Sequence, residues 1–503
     1  MKKYIIFLCT LGLVILLPYS CQDEDLDTEI STPIADQYFN ETPLSYEEAV
    51  FGMYQKLIFF YTYQGGNWLH RVTHWSDDDL TTDLNEPFES FSNLTASNGR
   101  ISDYYRFAYQ LIGRSNTMLS YMARFGDDVF KNDPDLKRWY EGEARFLRAY
   151  MYFRLADLFG TPPLLTEPVD DLNFIPENSA PGEVLDFAIS ELEAAAGLLP
   201  DTWDNANTGR ATKRSAYGIL AKALLLRGTN KGYDAADLNA AVNAVNQLEN
   251  APVSLIADFT NNFAGLDAEN NDESIFEVQF GQNENNNVWL DNDNFAVVGN
   301  LGGYWGMYEN HSSLFGSAFM QPTASLEAVY EDGDPRKDAT IRDGMIVKYV
   351  DGLVRGNTDP SYLNNARIMR YADALLIKAE AILMSGGSPS EAIALVNQVR
   401  ERARNSVDPA SAIPADLDEG ETDQDTILGW IMDERRRELA GEEGWRWVDL
   451  KRWHRAGVID LASWDFSSLA NNFGFDVNKH LLLPFPASEV ELAGGKLQQN
   501  PGY

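Results

Sequence analysis

Along most of this chain, apolar residues recur every three or four positions, the spacing of one face of an α-helix. In EVLDFAISELEAAAGLLP this spacing links Leu185, Ile189 and Leu192, and Pro200 ends the run. Segments with the same pattern begin at Glu47, Leu111, Glu141 and Ala211. The pattern predicts a mainly α protein made of amphipathic helices, each with one buried stripe.

Small side chains are concentrated in the segment that begins at Ala211. They are Ala216, Gly218, Ala221 and Ala223. Because small side chains leave room between backbones, this spacing predicts that neighbouring helices approach closely at the segment. Helices are therefore expected to pack in pairs.

The clearest helix pair covers residues 370–403. The glycines Gly386–Gly387 stop the first helix, and Ser388 is the expected N-cap of the second. Pro389 at the first helical position and Glu391 three residues after the cap complete the start signal. The unit is 34 residues long, which is the period of a tetratricopeptide repeat. We therefore predict a tetratricopeptide-like scaffold of helical pairs.

The first residues predict export and a lipid anchor. Lys2 and Lys3 precede an uncharged apolar run, Tyr4–Leu17, which is shorter than the ~20 residues of a membrane-spanning helix and suits a secretory signal. Cys21 follows Ser20 and resembles the lipidated cysteine of bacterial lipoproteins, although Pro18 and Tyr19 depart from that motif. An ordinary cleaved signal with an incidental cysteine is the alternative.

These observations divide the chain into three predicted regions. Residues 1–20 are a lipoprotein signal peptide, residues 21–40 an acidic lipid tether, and residues 41–503 one domain. Within the domain, an N-terminal part ends at about residue 250, and residues 251–503 form a loop-rich, ligand-side and C-terminal part. The helical pattern breaks over 251 to about 359 and again over 408–425, and loops this long are usually functional or disordered.

The charge balance excludes one class of partner. The chain has 40 Lys and Arg against 76 Asp and Glu, a net charge of −36. Such a surface repels phosphate backbones, so nucleic acid is not expected to bind. The stretch DERRRELAGEEGWRWVDLKRW, residues 433–453, holds six cations and six anions, a balance that favours ion pairs along a helix.

That stretch is also expected to form two helices that support the fold. The first runs to about Ala440, a turn covers Gly441–Gly444, and the second buries Trp445, Val448 and Trp453. Arg446 and Asp449 are expected to form ion pairs.

Motifs for catalysis are few. The chain has no dinucleotide, phosphate-loop or serine-hydrolase motif, and no cofactor is expected. In HRVTHWSDDD, Arg71 stands at the position where a zinc protease needs its catalytic Glu. The favoured interpretation of this segment is a polar loop whose residues bond one another. A structural metal site is the alternative. Catalysis by a pair of carboxylates stays open as an alternative. The chain has 76 Asp and Glu residues, and the sequence does not indicate which two would act together.

An aromatic and Asn-rich stretch, residues 281–311, is typical of a sugar site. It mixes aromatic rings with amides and carboxylates, and sugars present C–H patches beside hydroxyls. Packing of these rings onto the helices is the alternative. The aromatic residues are Trp289, Phe295, Tyr304, Trp305 and Tyr308.

Taken in order, several segments resemble the SusD/RagB family of outer-membrane lipoproteins. They include EARFLRAYMYFRLADLFGTPPLL, GRATKRSAYGILAKALLL, DPRKDATI, RIMRYADALLIKAEAI, DERRRELAGEEGWRWVDLKRW and LLLPFPASEVELAGGKLQQNPGY. The resemblance implies a SusD-like helical fold whose long loops bind oligosaccharide without cleaving it. It also implies a lid on a SusC-like, TonB-dependent transporter, lipid-anchored through Cys21 at the outer face of the outer membrane.

The resemblance also places the ligand site. It implies contacts from the loop after the first long helix and from the loops before Asp334, Pro335 and Arg336. The residues so indicated are Trp68, Trp75, Asp77 and Asp78 in the first loop and Trp289, Tyr304, Trp305 and Tyr308 in the second, with Trp75, Trp289 and Trp305 ranked highest. Two alternatives are a peptide-capturing, RagB-type protein and a structural lid without ligand affinity of its own.

Overall fold

The protein folds mainly into helices, as the apolar pattern predicts. The computed structural model describes residues 32–61, 77–81, 87–171, 173–249, 252–280, 321–354, 362–470 and 472–503. The helices are α1 Thr32–Glu41, α2 Pro43–Phe59, α3 Pro87–Ser90, α4 Gly99–Val129, α5 Pro134–Phe159, α6 Glu183–Leu198, α7 Lys213–Asn230, α8 Ala235–Leu248, α9 Ala324–Val329, α10 Pro335–Thr340, α11 Tyr371–Met384, α12 Pro389–Asn405, α13 Gln424–Leu439, α14 Trp445–Arg455 and α15 Ala487–Leu492.

Short antiparallel ladders connect parts of the chain that are far apart in sequence. The strands are β1 Leu80–Thr81, β2 Ser274–Val278, β3 Gln321–Pro322, β4 Ile341–Arg342, β5 Met345–Ile346 and β6 Ala366–Arg370. They pair as β1 with β3, β2 with β6 and β4 with β5. The β2–β6 ladder is buried at every position and sets Glu277 opposite Arg367. The ladders therefore fix where the long insertions begin and end.

Successive helices from α4 to α8 pack against one another, and α11 packs against α12. The predicted start of α12 is confirmed, since the Ser388 hydroxyl accepts a hydrogen bond from the Glu391 amide at 3.2 Å. Gly386 has φ +81°, a left-handed backbone that glycine adopts without strain. The stop signal at Gly386 and the N-cap at Ser388 therefore produce the predicted helical pair.

One small residue of α7, Gly218, meets a partner that differs from the predicted helix. A β-carbon added at Gly218 would lie 2.5 Å from Ile275 and 2.9 Å from Met369. Those residues belong to β2 and β6, so the close approach at Gly218 is between a helix and a ladder. The prediction of a helix–helix approach is wrong at this position.

The acidic tether is shorter than predicted, because a helix already begins at Thr32. Asp36 pairs with Arg124 of α4 at 2.9 Å, and the Phe39 ring stacks on Tyr121 with centroids 4.5 Å apart. These contacts bind α1 to the domain, so residues 32–40 belong to the fold. Within the described ranges, no helix is both long enough and apolar enough to cross a membrane.

Candidate functional site

The two loops predicted to bind ligand begin side by side. The first follows Tyr61 after α2, and the second follows Phe280 after β2. The rings of Tyr61 and Phe280 meet edge to face with centroids 6.3 Å apart. Tyr61 also donates a hydrogen bond to the Glu443 carboxylate at 3.0 Å, which ties this stem to the turn before α14.

The same two loops also end side by side. Leu80 of β1 lies opposite Pro322 of β3, and Thr81 lies opposite Gln321. Beyond this ladder, the Thr323 amide donates to the Asp79 carbonyl at 2.9 Å. The two loops therefore share one junction where they begin and a second junction where they end. Six predicted contact residues between the stems lie outside the described residues, as does Cys21: Trp68, Trp75, Trp289, Tyr304, Trp305 and Tyr308.

Asp77 lies inside the end of the first loop. One of its carboxylate oxygens accepts hydrogen bonds from the amides of Asp79 and Leu80, at 3.0 and 2.9 Å. Burial raises the pKa of Asp77, and the charge of Asp79 raises it further. The side chain is 5% exposed, so in this structure it shapes the loop end. A ligand contact by Asp77 stays a prediction.

Asp78 is held by side chains from two later segments. Arg446 donates to its two oxygens at 2.7 and 2.9 Å, and the Trp464 indole N–H donates at 3.2 Å. Burial alone would raise the pKa of Asp78, but Arg446 and Arg436 outweigh burial and lower it. Asp78 is therefore an ionised, buried anchor for the loop end, and direct contact with ligand stays a prediction for it as well.

Arg436 of α13 binds the same loop end. Its Nε donates to Asp79, and its Nη2 donates to the Asp78 carbonyl at 2.7 Å and to Ser325 at 2.9 Å. The two-helix segment at residues 433–453, predicted to support the fold, thus also holds the end of the first loop. Trp445, Val448 and Trp453 are buried there, as predicted.

Most ion pairs of this segment do not run along the helix, which corrects one expectation. Glu438 is fully buried and accepts hydrogen bonds from Arg402, from Arg370 at 3.0 Å and from Arg336 at 3.1 Å. Burial opposes ionisation, but Arg402 and Arg370 dominate and lower the pKa of Glu438. Glu434 likewise pairs with Arg336 at 2.7 Å. These pairs join β6, α10, α12 and α13. Each buried carboxylate has several cationic partners, which offset the cost of its burial.

Trp464 is a candidate site residue that the sequence analysis missed. It is half-buried in the segment after α14, and its N–H reaches Asp78, 386 positions earlier in the chain. That contact fixes one edge of the ring next to the loop end. No local pattern marks such a residue, because its importance comes from a partner far away in sequence.

Comparisons with known proteins agree with this architecture. A model described as "SusD family" matches residues 320–503, and one described as "Starch-binding associating with outer membrane" matches residues 36–225. SusD-like protein P2 of Formosa agariphila is 29% identical over 446 residues, which cover 81% of each chain.

Solved structures show the same fold over almost the whole chain. Surface glycan-binding protein A from Bacteroides fluxus superposes with a TM-score of 0.71 at 25% identity, covering 91% of this chain and 99% of that one. A laminarin-binding SusD-like protein superposes with a TM-score of 0.71 at 24% identity, covering 92% of this chain and 99% of that one.

Proposed function

Because this chain belongs to the SusD family, we propose that it is a cell-surface glycan-binding lipoprotein. It captures oligosaccharides and passes them, uncleaved, to a SusC-like, TonB-dependent transporter in the outer membrane. The similar protein of Bacteroides fluxus is named as a surface glycan-binding protein, which supports the ligand class.

One observation carries the proposal: two insertions rich in aromatic and polar residues start and finish at common stems. Tyr61 contacts Phe280 where the insertions begin, and Thr81 pairs with Gln321 where they end. Both sets of sugar-binding candidates therefore lie on insertions that share their attachment points on the helical scaffold. Binding residues are commonly carried on such loops.

The proposed contacts are the tryptophans and tyrosines of the two loops, with Trp75, Trp289 and Trp305 foremost. A flat ring stacks on the C–H face of a sugar, and neighbouring amides and carboxylates bind its hydroxyls. Trp464 adds a further ring beside the loop end, held there by Asp78. Asp77 and Asp78 contribute mainly by holding the loop in place.

The proposed anchor is a lipidated Cys21 in the outer leaflet of the outer membrane. Ten residues, 22–31, separate Cys21 from α1, and they extend at most about 35 Å. Acyl chains supply about 0.8 kcal/mol per buried methylene, so several chains hold a protein firmly. The domain then stays close to the transporter that it serves.

The test is a binding screen with the soluble mature chain, residues 22–503, against starch, laminarin and other plant, fungal, bacterial and host glycans. Titration calorimetry on the best ligand then compares Trp75→Ala, Trp289→Ala and Trp305→Ala with the unmodified chain. At least one variant is expected to lose about tenfold or more in affinity, because buried aromatic contacts dominate such sites.

Trp430→Ala serves as the matched control, since Trp430 is a half-buried tryptophan of α13 that packs on the α11–α12 pair. Its affinity for glycan is expected to match that of the unmodified chain. Two results would refute the proposal: no binding across the panel, or the release of new reducing ends by the pure protein. Binding of peptides in place of glycans would support the RagB-type alternative.

A further inference from the structure

Two neighbouring clefts open beside the stems at which both loops begin. The first has a volume of about 180 Å³ and is lined by Phe51, Ile58 and Val278, with Ile58 and Val278 only a few residues before Tyr61 and Phe280. The second has a volume of about 230 Å³. Residues 208–210 line both clefts and form the divide between them. The clefts are therefore adjacent, and the lining of the first includes residues just before Tyr61 and Phe280.

The second cleft contains polar groups with hydrogen-bonding capacity left over among the described residues. In that part of the chain, Arg214 has one weak hydrogen bond, from Nη1 to the Pro252 carbonyl at 3.4 Å. Glu277 is 2% exposed, and its Oε1 has no hydrogen-bond partner among the described residues, although Arg367 Nε lies 3.5 Å away. Buried or half-buried groups of this kind usually find a partner in water or a ligand.

An aromatic ring in the second cleft is held in a fixed orientation. The Trp203 N–H donates to the Ala211 carbonyl at 2.8 Å, and the Arg210 guanidinium lies 4.1 Å from the ring centroid. The edge of Trp139 packs against the same ring with centroids 5.4 Å apart. A half-exposed ring that is already ordered loses little entropy when a ligand stacks on it.

We propose that the two clefts form an accessory groove for neutral sugar units of a glycan chain whose other end occupies the loop site. The inference rests on the proposed function and extends it to ligand length and charge. The part of the Trp203 ring that Arg210 and Trp139 leave uncovered supplies apolar contact, and Arg214 supplies donors for hydroxyls. Asp272 and Glu277 lie close enough to Arg214 to act on its charge, and Asp201 lines the same cleft, so an acidic sugar meets carboxylates beside Arg214.

Two substitutions test the groove without changing the loop site. Thr208→Trp places a bulky ring at the divide, where Thr208 is exposed and has ordinary backbone angles of −53° and 136°. Arg214→Ala removes the donor. Arg138→Ala is the matched control, because Arg138 is an exposed arginine of α5 that pairs only with Asp135 among the described residues.

The probes are oligosaccharides of increasing length from laminarin and from starch, with each parent polysaccharide, titrated calorimetrically into residues 22–503. For whichever series binds, Thr208→Trp and Arg214→Ala are expected to weaken the longest ligands about threefold to tenfold and to leave the shortest unchanged. Arg138→Ala is expected to change neither. Unfolding midpoints of all variants show whether the fold is preserved.

The outcomes separate this inference from the proposed function. If glycans bind but both groove variants match the unmodified chain at every length, the groove is refuted and the proposed function stands. If polygalacturonate binds through Arg214 more tightly than the neutral ligands, the assignment to neutral sugars is refuted. If no glycan binds the unmodified chain, the proposed function fails and the groove fails with it.

Discussion

Arg446 donates two hydrogen bonds to the carboxylate of Asp78, at 2.7 and 2.9 Å, across 368 positions of sequence. The pair joins the start of α14 to the end of the loop that carries Trp75. Both side chains are largely buried, at 10% and 2% exposure. A C-terminal helix therefore holds the end of the N-terminal loop that is predicted to bind ligand.

Arg446→Met leaves the Asp78 charge buried without its main partner. The free energy of unfolding is expected to fall by about 3–5 kcal/mol, measured by urea denaturation. The double variant Asp78→Asn with Arg446→Met removes both charges and is expected to recover part of that loss. Glycan affinity of the single variant is expected to fall too, since the loop end is released. Unchanged stability in the single variant would show that the pair contributes nothing.

Trp464 offers a test of the site that separates its ring from its N–H group. Trp464→Phe keeps an aromatic ring but loses the hydrogen bond to Asp78, whereas Trp464→Ala loses both. If the ring contacts sugar, calorimetry is expected to show a loss of about tenfold for Trp464→Ala and a smaller loss for Trp464→Phe. Equal losses in both variants would assign the residue to loop positioning alone.

His480 makes stability depend on pH in a defined range. Burial and, to a smaller extent, the charge of Lys479 together lower the pKa of His480 from 6.5 to about 4, while its Nδ1 accepts the Asp476 amide at 2.8 Å. The unfolded chain therefore takes up the proton first. The contribution to stability is complete above pH 6.5 and is expected to decline as the pH falls towards about 4.

Thermal unfolding across that range tests the assignment. His480→Gln keeps a hydrogen-bond acceptor but does not titrate, so its unfolding midpoint is expected to change less between neutral pH and about pH 4. Asp449 takes up a proton only at a lower pH than His480 does. Burial favours its neutral form, but Arg435 and Arg452 prevail and lower the pKa of Asp449 to about 2. Equal pH dependence in both proteins would argue against His480 as the source.

Two helical glycines are expected to respond oppositely to alanine. At Gly218 the new β-carbon would press on Ile275 and Met369, so Gly218→Ala is expected to cost about 1–3 kcal/mol of unfolding free energy. At Gly113, inside α4, a β-carbon meets nothing within 4 Å. Gly113→Ala is therefore expected to stabilise by about 0.5–1 kcal/mol. Chemical denaturation of the two variants measures whether each free energy of unfolding rises or falls. A Gly218→Ala variant that is more stable than the unmodified chain would contradict the packing described at Gly218.

Membrane attachment is expected to depend on Cys21. Cells that express the full chain with a labelled fatty acid are expected to yield labelled protein in the membrane fraction, and Cys21→Ala is expected to abolish the label. Cys9→Ala is the matched control, because Cys9 lies in the segment predicted to be removed. Label retained in Cys21→Ala would refute the anchor.

The elements that sequence predicts well are those set by nearby residues. Ser388 caps α12 because its partner, Glu391, is three positions away, and the helix pair at residues 433–453 follows its own apolar spacing. The distant partners of Arg336 and Glu438 leave no local trace, so only the fold shows that they meet. The start of α1 at Thr32 was missed for a similar reason, since its contacts are with α4.

The joined stems also bear on how such a protein can be altered. The two insertions enter beside Tyr61 and Phe280 and leave through the β1–β3 ladder, so they share both attachment points on the helical scaffold. Lengthening a loop adds little closure entropy, about 0.6 kcal/mol for each doubling. Transplanting both segments together from a relative is thus a direct route to a new ligand preference, with the ion-paired helices left untouched.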